Sequence, residues 1–307
     1  MLIEQPALPA SSTVRAELAG LMVHAMRRYA AGAGPANAVE TEVKRQLDQI
    51  ADARRTTQEL TRRVDRLSAA RRKSLLSARF ADLGADRPVR QDVLSGLIDR
   101  LQPPVNPGGP VTNSPRFELT FSHVICRDES NPEALGSDEP YGVFGVLSEA
   151  DALASRPPRV VKTPTYENVD DGDRRPSSGS QNLQLFGPGR ITSDLIVTAV
   201  WMEQDLGADG VKVVNAIKVG LGIAAAIAKA TGAALVAAVL GAAQTVAGLI
   251  ESLGADDQVG AQITIALSEA EAVALTRSSA RVELPRLRFN GGDSNGIYDA
   301  FLALRRS

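Results

Sequence analysis

Phe117-Glu-Leu-Thr-Phe-Ser-His-Val-Ile125 is where the apolar pattern of this chain changes from helical to alternating. Phe117, Leu119, Phe121 and Ile125 share one side of an extended segment, as a strand with one face on a core requires. Toward the C-terminus the alternation recurs. Tyr141 and Val143 begin a second strand, Val160-Val161 and the segment 183–186 give two more, and Leu195, Val197, Ala199 and Trp201 make a fifth. Ile263, Ile265 and Leu267 form a sixth, 282–289 a seventh interrupted by Pro285, and Tyr298, Ala300, Leu302 and Leu304 an eighth. Short strands with irregular connections predict an antiparallel β-sandwich over 116–307.

Upstream of Phe117 the pattern is different. Pro103, Pro104, Pro107, Gly108, Gly109, Pro110 and Pro115 favour an extended linker over 102–115. Before it, a helix is expected over 14–31, capped by Ser12 or Thr13, with Leu18, Leu21, Met22 and Met26 on one face. A longer helix is expected over 37–80. Its apolar positions Val43, Leu47, Ile50, Leu60, Val64, Leu67 and Leu75 step by four and three like a coiled-coil seam, interrupted by Arg54 and Thr57. The partner of that seam is either another helix of the same chain or a second copy. A short helix over 89–101 completes the segment, so the expected fold class is α+β: a helical segment 1–101, the linker, and a β-domain 116–307.

The 307 residues are 44% hydrophobic and 23% charged, enough to bury more than one core. The net charge of -2 hides an asymmetry: residues 1–102 carry 17 basic against 12 acidic side chains, +5, and the remainder 17 against 24, -7. That division argues against a protein that coats nucleic acid. Nine basic residues between Arg54 and Arg79, against Glu59 and Asp65, make either a surface for an anionic partner or an ordinary solvated helix face. Cys126 is the single cysteine and His24 and His123 the only histidines, which excludes an intrachain disulfide and a thiolate or imidazole metal cage. The opening Met1-Leu-Ile-Glu-Gln-Pro has neither a basic segment nor an apolar run, so cytoplasmic synthesis without a conventional secretory signal is expected.

Between the fifth and sixth strands lies an apolar insertion, 211–253, read as a helical hairpin broken near Thr231-Gly232. No charged residue occurs between Ala230 and Ile250. The length suits a bilayer, but the strong apolar residues of its second half contribute only roughly -2 to -4 kcal/mol toward insertion. Packing in a soluble bundle with the N-terminal helices is the competing reading. Gly220-Leu-Gly222-Ile-Ala-Ala225 imitates a dinucleotide-binding turn without the repeating strand-helix-strand context that gives that motif meaning. No nucleophile elbow or phosphate-binding loop occurs, and His123 reads as a satisfied strand histidine, so the chain is expected not to be an enzyme.

The carboxylates carry the chemistry, because they recur at strand ends. Asp128 and Glu129 follow the first strand, Asp138 and Glu139 precede the second, Glu203, Asp205 and Asp209 follow the fifth, and Asp256 and Asp257 precede the sixth. The loop Asp170-Asp-Gly-Asp173 supplies further oxygens. Carboxylates brought together repel unless a cation lies between them, and calcium accepts about six to eight oxygen ligands. The runs Ile125-Cys-Arg-Asp128-Glu129, Ser137-Asp138-Glu139-Pro-Tyr141, Val200-Trp201-Met-Glu203-Gln-Asp205 and Asp256-Asp257-Gln-Val-Gly260 resemble the calcium-dependent phospholipid-binding β-sandwich family of the protein kinase C type.

That resemblance, over about 116–307, implies that Asp128, Glu129, Asp138, Glu139, Glu203, Asp205, Asp256 and Asp257 are metal ligands and that calcium is the cofactor. The expected function is a non-enzymatic calcium-binding module acting at an anionic membrane surface or on a protein partner. In one form of it the hairpin inserts, in the manner of a membrane-active toxin. The alternative is a structural or assembly protein whose helices make a homo-oligomer and whose acidic loops are inert or hold a structural ion.

Overall fold

The computed structural model describes residues 12–101, 115–129, 139–192, 194–204, 210–232, 257–291 and 296–307. The chain is α+β, with N-terminal helices, antiparallel sheets and one long apolar helix between strands. The N-terminal part holds α1 (Ser12–Ala30), α2 (Ala38–Leu47), α3 (Ala53–Arg66), α4 (Ala69–Ala81) and α5 (Gln91–Leu101).

The single helix expected over 37–80 is therefore three. Asp52 adopts a left-handed φ of 58° between α2 and α3, Leu67 is extended, and the Ser68 hydroxyl accepts the Arg71 backbone N–H at 3.3 Å to start α4. The breaks let each short helix turn its apolar side inward. Val43, Leu47, Ile50, Leu60 and Val64 are all buried in one core with Leu18, Leu21, Met22 and Met26 of α1, so the seam is closed within the chain. Gly20 marks the crossing of α1 and α4, since a Cβ there would stand 2.5 Å from the Phe80 Cβ.

Two antiparallel sheets follow. In the first, β1 (Arg116–Asp128) lies between β11 (Ile297–Arg306) on one side and both β4 (Arg174–Arg175) and β5 (Leu183–Arg190) on the other. The far side of β11 carries β10 (Leu287–Asn290) and β9 (Arg281–Glu283), which are the expected seventh strand divided around Pro285. In the second sheet β2 (Pro140–Ser148) lies between β3 (Arg159–Lys162) and β6 (Asp194–Glu203), and β6 also pairs with β7 (Asp257–Gln258) and β8 (Ile263–Ser268). Short helices α6 (Glu149–Leu153) and α8 (Glu269–Leu275) follow β2 and β8, the latter held by a Ser268/Glu271 capping box.

One face of the second sheet meets the first sheet. Phe144, Val146, Leu195, Val197, Ala199, Trp201 and Leu267 share a core with Phe117, Leu119, Phe121, Tyr298, Leu302 and Leu304. Trp201 is its centre, with ring centroids of Phe289, Tyr298 and Phe121 at 5.7, 6.0 and 6.2 Å. Ile125, expected on the same side as Phe121, is on the other one. A register shift between Phe121 and His123 inverts the alternation, turning Val124 and Cys126 inward.

The opposite face of the second sheet is also buried. Tyr141, Val143, Leu147, Ile196, Val200 and Met202 pack under α7 (Gly210–Thr231), and α7 in turn packs on α2 and α3. Contact is close at Gly145, where a Cβ would stand 2.5 Å from Leu221 Cδ1 and 2.6 Å from Ile217 Cγ2. At its C-terminal end, Lys229 Nζ donates to the Ser155 hydroxyl at 2.5 Å, and that hydroxyl donates to Glu42 of α2 at 2.7 Å. The second half of the expected hairpin, 233–253, lies outside the described residues, as does nearly all of the linker.

Candidate functional site

The register of the strands decides where the acidic segments fall. In the first sheet, β1 ends at Asp128 opposite Ile297, the first residue of β11. The Asp170–Asp173 turn is strung against that end: Cys126 donates its N–H to the Asp173 carbonyl at 2.9 Å, and Gly172 returns one to Cys126 at 3.1 Å. Asp171 Oδ1 accepts the Glu129 backbone N–H at 2.7 Å. Asp128, Glu129 and the 170–173 turn are thus one group.

In the second sheet, Pro140 pairs with Glu203 and Glu203 with Asp257, while the Gln204 N–H donates to the Glu139 carbonyl at 3.2 Å. Glu139, Glu203 and Asp257 are therefore neighbours along one sheet edge, with Glu203 buried. The two groups belong to the same end of the molecule. Gly260, just beyond β7, takes a φ of +65° and passes so near β10 that a Cβ there would stand 2.6 Å from Asn290 N. Only a residue without a Cβ fits this closure, in which the end of the second sheet meets the end of the first.

Of the eight carboxylates expected as ligands, Asp128, Glu129, Glu139 and Glu203 have described side chains, Asp257 has a described backbone only, and Asp138, Asp205 and Asp256 lie outside the described residues. Among the described residues no three His, Cys, Asp or Glu side chains are arranged to hold a metal ion. What the fold does bring together, among the described residues, is Glu139 and Glu203 with the Asp257 backbone in the second sheet, and Asp128 and Glu129 with the 170–173 turn in the first.

His123 is buried in β1, its ring stacked on Phe301 with centroids 4.4 Å apart and its Nδ1 3.1 Å from the Ser122 hydroxyl. Burial, with Arg174 nearby, pushes the imidazole down to about 4, so it is neutral near pH 7.

A second charged feature escaped the reading of the sequence. Asp299 of β11 is fully buried, yet it faces the side of the first sheet turned away from the core. Arg288 grips it with Nε at 2.8 Å and Nη2 at 2.9 Å, Arg127 with Nε at 2.8 Å, and Arg286 reaches it at 3.5 Å. Burial alone would push the Asp299 carboxyl up. The bonds from Arg288 and Arg127 outweigh that and hold it below the usual carboxylate range. The signal in the sequence was Arg286 and Arg288 two apart in a strand, with Asp299 alternating against apolar neighbours.

Comparison of the chain with protein-family models, with curated proteins and with solved structures finds no match.

Proposed function

We propose that the chain is a non-enzymatic calcium-binding module that acts at a membrane or partner surface through the acidic end of its two sheets. The observation that supports this reading is the pairing of Pro140 with Glu203 and of Glu203 with Asp257, together with the Glu129–Asp171 contact, which converge acidic segments distant in sequence. Like charges so placed repel, and a divalent cation is the simplest relief. Asp138, Asp205, Asp256 and Asp257 join Asp128, Glu129, Glu139 and Glu203 as its proposed oxygen donors.

Insertion of the hairpin is the costlier form of this proposal. α7 has the length and composition of a membrane span, with a mean hydropathy of 1.7, but 72% of that window is buried. Its departure would bare Tyr141, Val143, Leu147, Ile196, Val200 and Met202, at about 1.5–3 kcal/mol for each large apolar side chain. That is comparable with the whole stability of a domain, about 5–15 kcal/mol. Docking on a surface with α7 in place is therefore the favoured form. In the assembly alternative, a homo-oligomer made by the helices would have to use a face other than the seam, which is buried within the chain.

The test is calorimetric titration of the full chain with calcium, repeated with Asp138, Asp205 and Asp257 changed to Asn. The full chain is needed because α7, inserted in the β-domain, shares its core with the N-terminal helices. Saturable binding lost in the variant, followed by calcium-dependent sedimentation with anionic vesicles, supports the proposal. An absence of heat at millimolar calcium would move the weight to an assembly protein.

A further inference from the structure

We propose that Arg127, Arg286 and Arg288 form a clamp for a compact dianionic oxyanion of the phosphate-monoester class, on the open face of the first sheet. Three guanidinium groups surround one carboxylate, so the cluster carries three positive charges against one negative, a surplus of +2. A single arginine would balance the charge of Asp299. Asp299 is inaccessible to solvent while the three arginine side chains are 42%, 52% and 43% exposed, so the anchor is hidden and the cations are presented. Among the described residues, no other carboxylate pairs with any of the three.

The geometry selects the ligand class. Arg127 gives its Nε to Asp299 and Arg288 both Nε and Nη2, which fixes the plane of each guanidinium and leaves the Nη groups of Arg127 and Nη1 of Arg288 for an external oxyanion. Planar forks held in this way suit a phosphate oxygen pair better than a point charge would. A dianion cancels the surplus. The surroundings limit its size: β1 runs from Arg127 directly into Asp128 and Glu129, with Asp171 on the Glu129 backbone, so the chain next to Arg127 is acidic. These carboxylates repel an extended anionic surface but not a small phosphate seated between the arginines. The proposal is independent of calcium at the acidic end.

The test follows the thermal unfolding midpoint of the full chain in EDTA at constant ionic strength as inorganic phosphate replaces chloride, with 31P line broadening as the direct readout. Bound phosphate should raise the midpoint saturably. Arg286 is the arginine least engaged with Asp299, so Arg286→Gln should keep its midpoint in chloride while phosphate affinity falls roughly tenfold or more. The general stabilising effect of phosphate as a salt acts alike on both proteins, so the difference between them isolates the site. If Arg286→Gln lowers the midpoint in chloride, Arg286→Lys, which keeps the charge and loses the fork, should still weaken phosphate broadening. Identical responses in wild type and variants would overturn the proposal. Arg286-dependent sedimentation with phosphatidic-acid vesicles in EDTA would support the same clamp and assign its monoester to a lipid headgroup, whereas phosphate broadening without sedimentation assigns a soluble one.

Discussion

The two sheets are built from the same residue types and differ in what covers them. In the second sheet, β2 is buried throughout and β6 from Leu195 onward, because one face meets the first sheet and the other meets α7. In the first sheet, β1 and β11 turn one side to the core and carry Glu118, Arg127, Asp299 and Arg305 on the other. The sequences show the cause. Tyr141-Gly-Val-Phe-Gly-Val-Leu147 and Leu195-Ile-Val-Thr-Ala-Val-Trp-Met202 are apolar nearly throughout, whereas β1 alternates over Phe117-Glu-Leu-Thr-Phe121 before its register shift. A strand without alternation announces a second cover, even in an antiparallel sheet. Here the cover is α7, an apolar helix the chain inserts between β6 and β7.

The sharpest way to break this contrast is a charge on each open and covered face. Val200→Asp, beneath α7, should prevent stable folding, because an unpaired buried charge costs several kcal/mol against a total of about 5–15 kcal/mol. Thr120→Asp, on the open face, should shift the urea midpoint little. Equal effects would mean that α7 does not cover the second sheet. Ile217→Ala, which removes α7 side-chain volume over Gly145, should cost about 2–5 kcal/mol by urea unfolding. Gly145→Ala at the same contact overpacks it and should cost about 1–3 kcal/mol, with an unchanged m-value.

A smaller effect belongs to the open face. Because the folded Asp299 carboxyl is held below its usual range, it contributes stability above its unfolded pKa, and that contribution is lost as pH falls through the folded value. Asp299→Asn should therefore be less stable than wild type near neutrality by about 1–3 kcal/mol, the cost of disrupting a buried acceptor. The gap should narrow as pH falls below the ordinary aspartate value of about 3.9 and on through the lower folded value, where wild-type Asp299 takes up its proton. A gap that is the same at both ends of the pH range would show that charge at Asp299 does not matter.

Most of the strands were legible because a face on a core leaves a period of two; seven of the eight expected strands are present and the seventh in order is divided in two around Pro285. The two-residue strands β4 and β7 left no period to read. The long helix over 37–80 failed because a seam of apolar residues reports which residues are buried, not whether the backbone turns between them at Asp52 and Leu67. Ile125 was misplaced because a register shift inverts parity without altering composition. For the site, the strand-end positions of Asp128, Glu139, Glu203 and Asp257 were readable from the sequence, whereas the neighbourhood of Glu139, Glu203 and Asp257 depends on register. The Asp299 cluster was hidden because its arginines come from segments separated by 159 residues or more from Arg127, and such pairing is a property of the folded sheet.

The central claim, that the acidic end holds a cation of the calcium class, is tested most directly by terbium luminescence excited through Trp201, the chain's single tryptophan, two residues before Glu203. The account predicts sensitised emission that saturates, is reversed by added calcium, and is lost when Asp138, Asp205 and Asp257 are changed to Asn. Emission that calcium does not reverse, or none at saturating terbium in the folded chain, would contradict it.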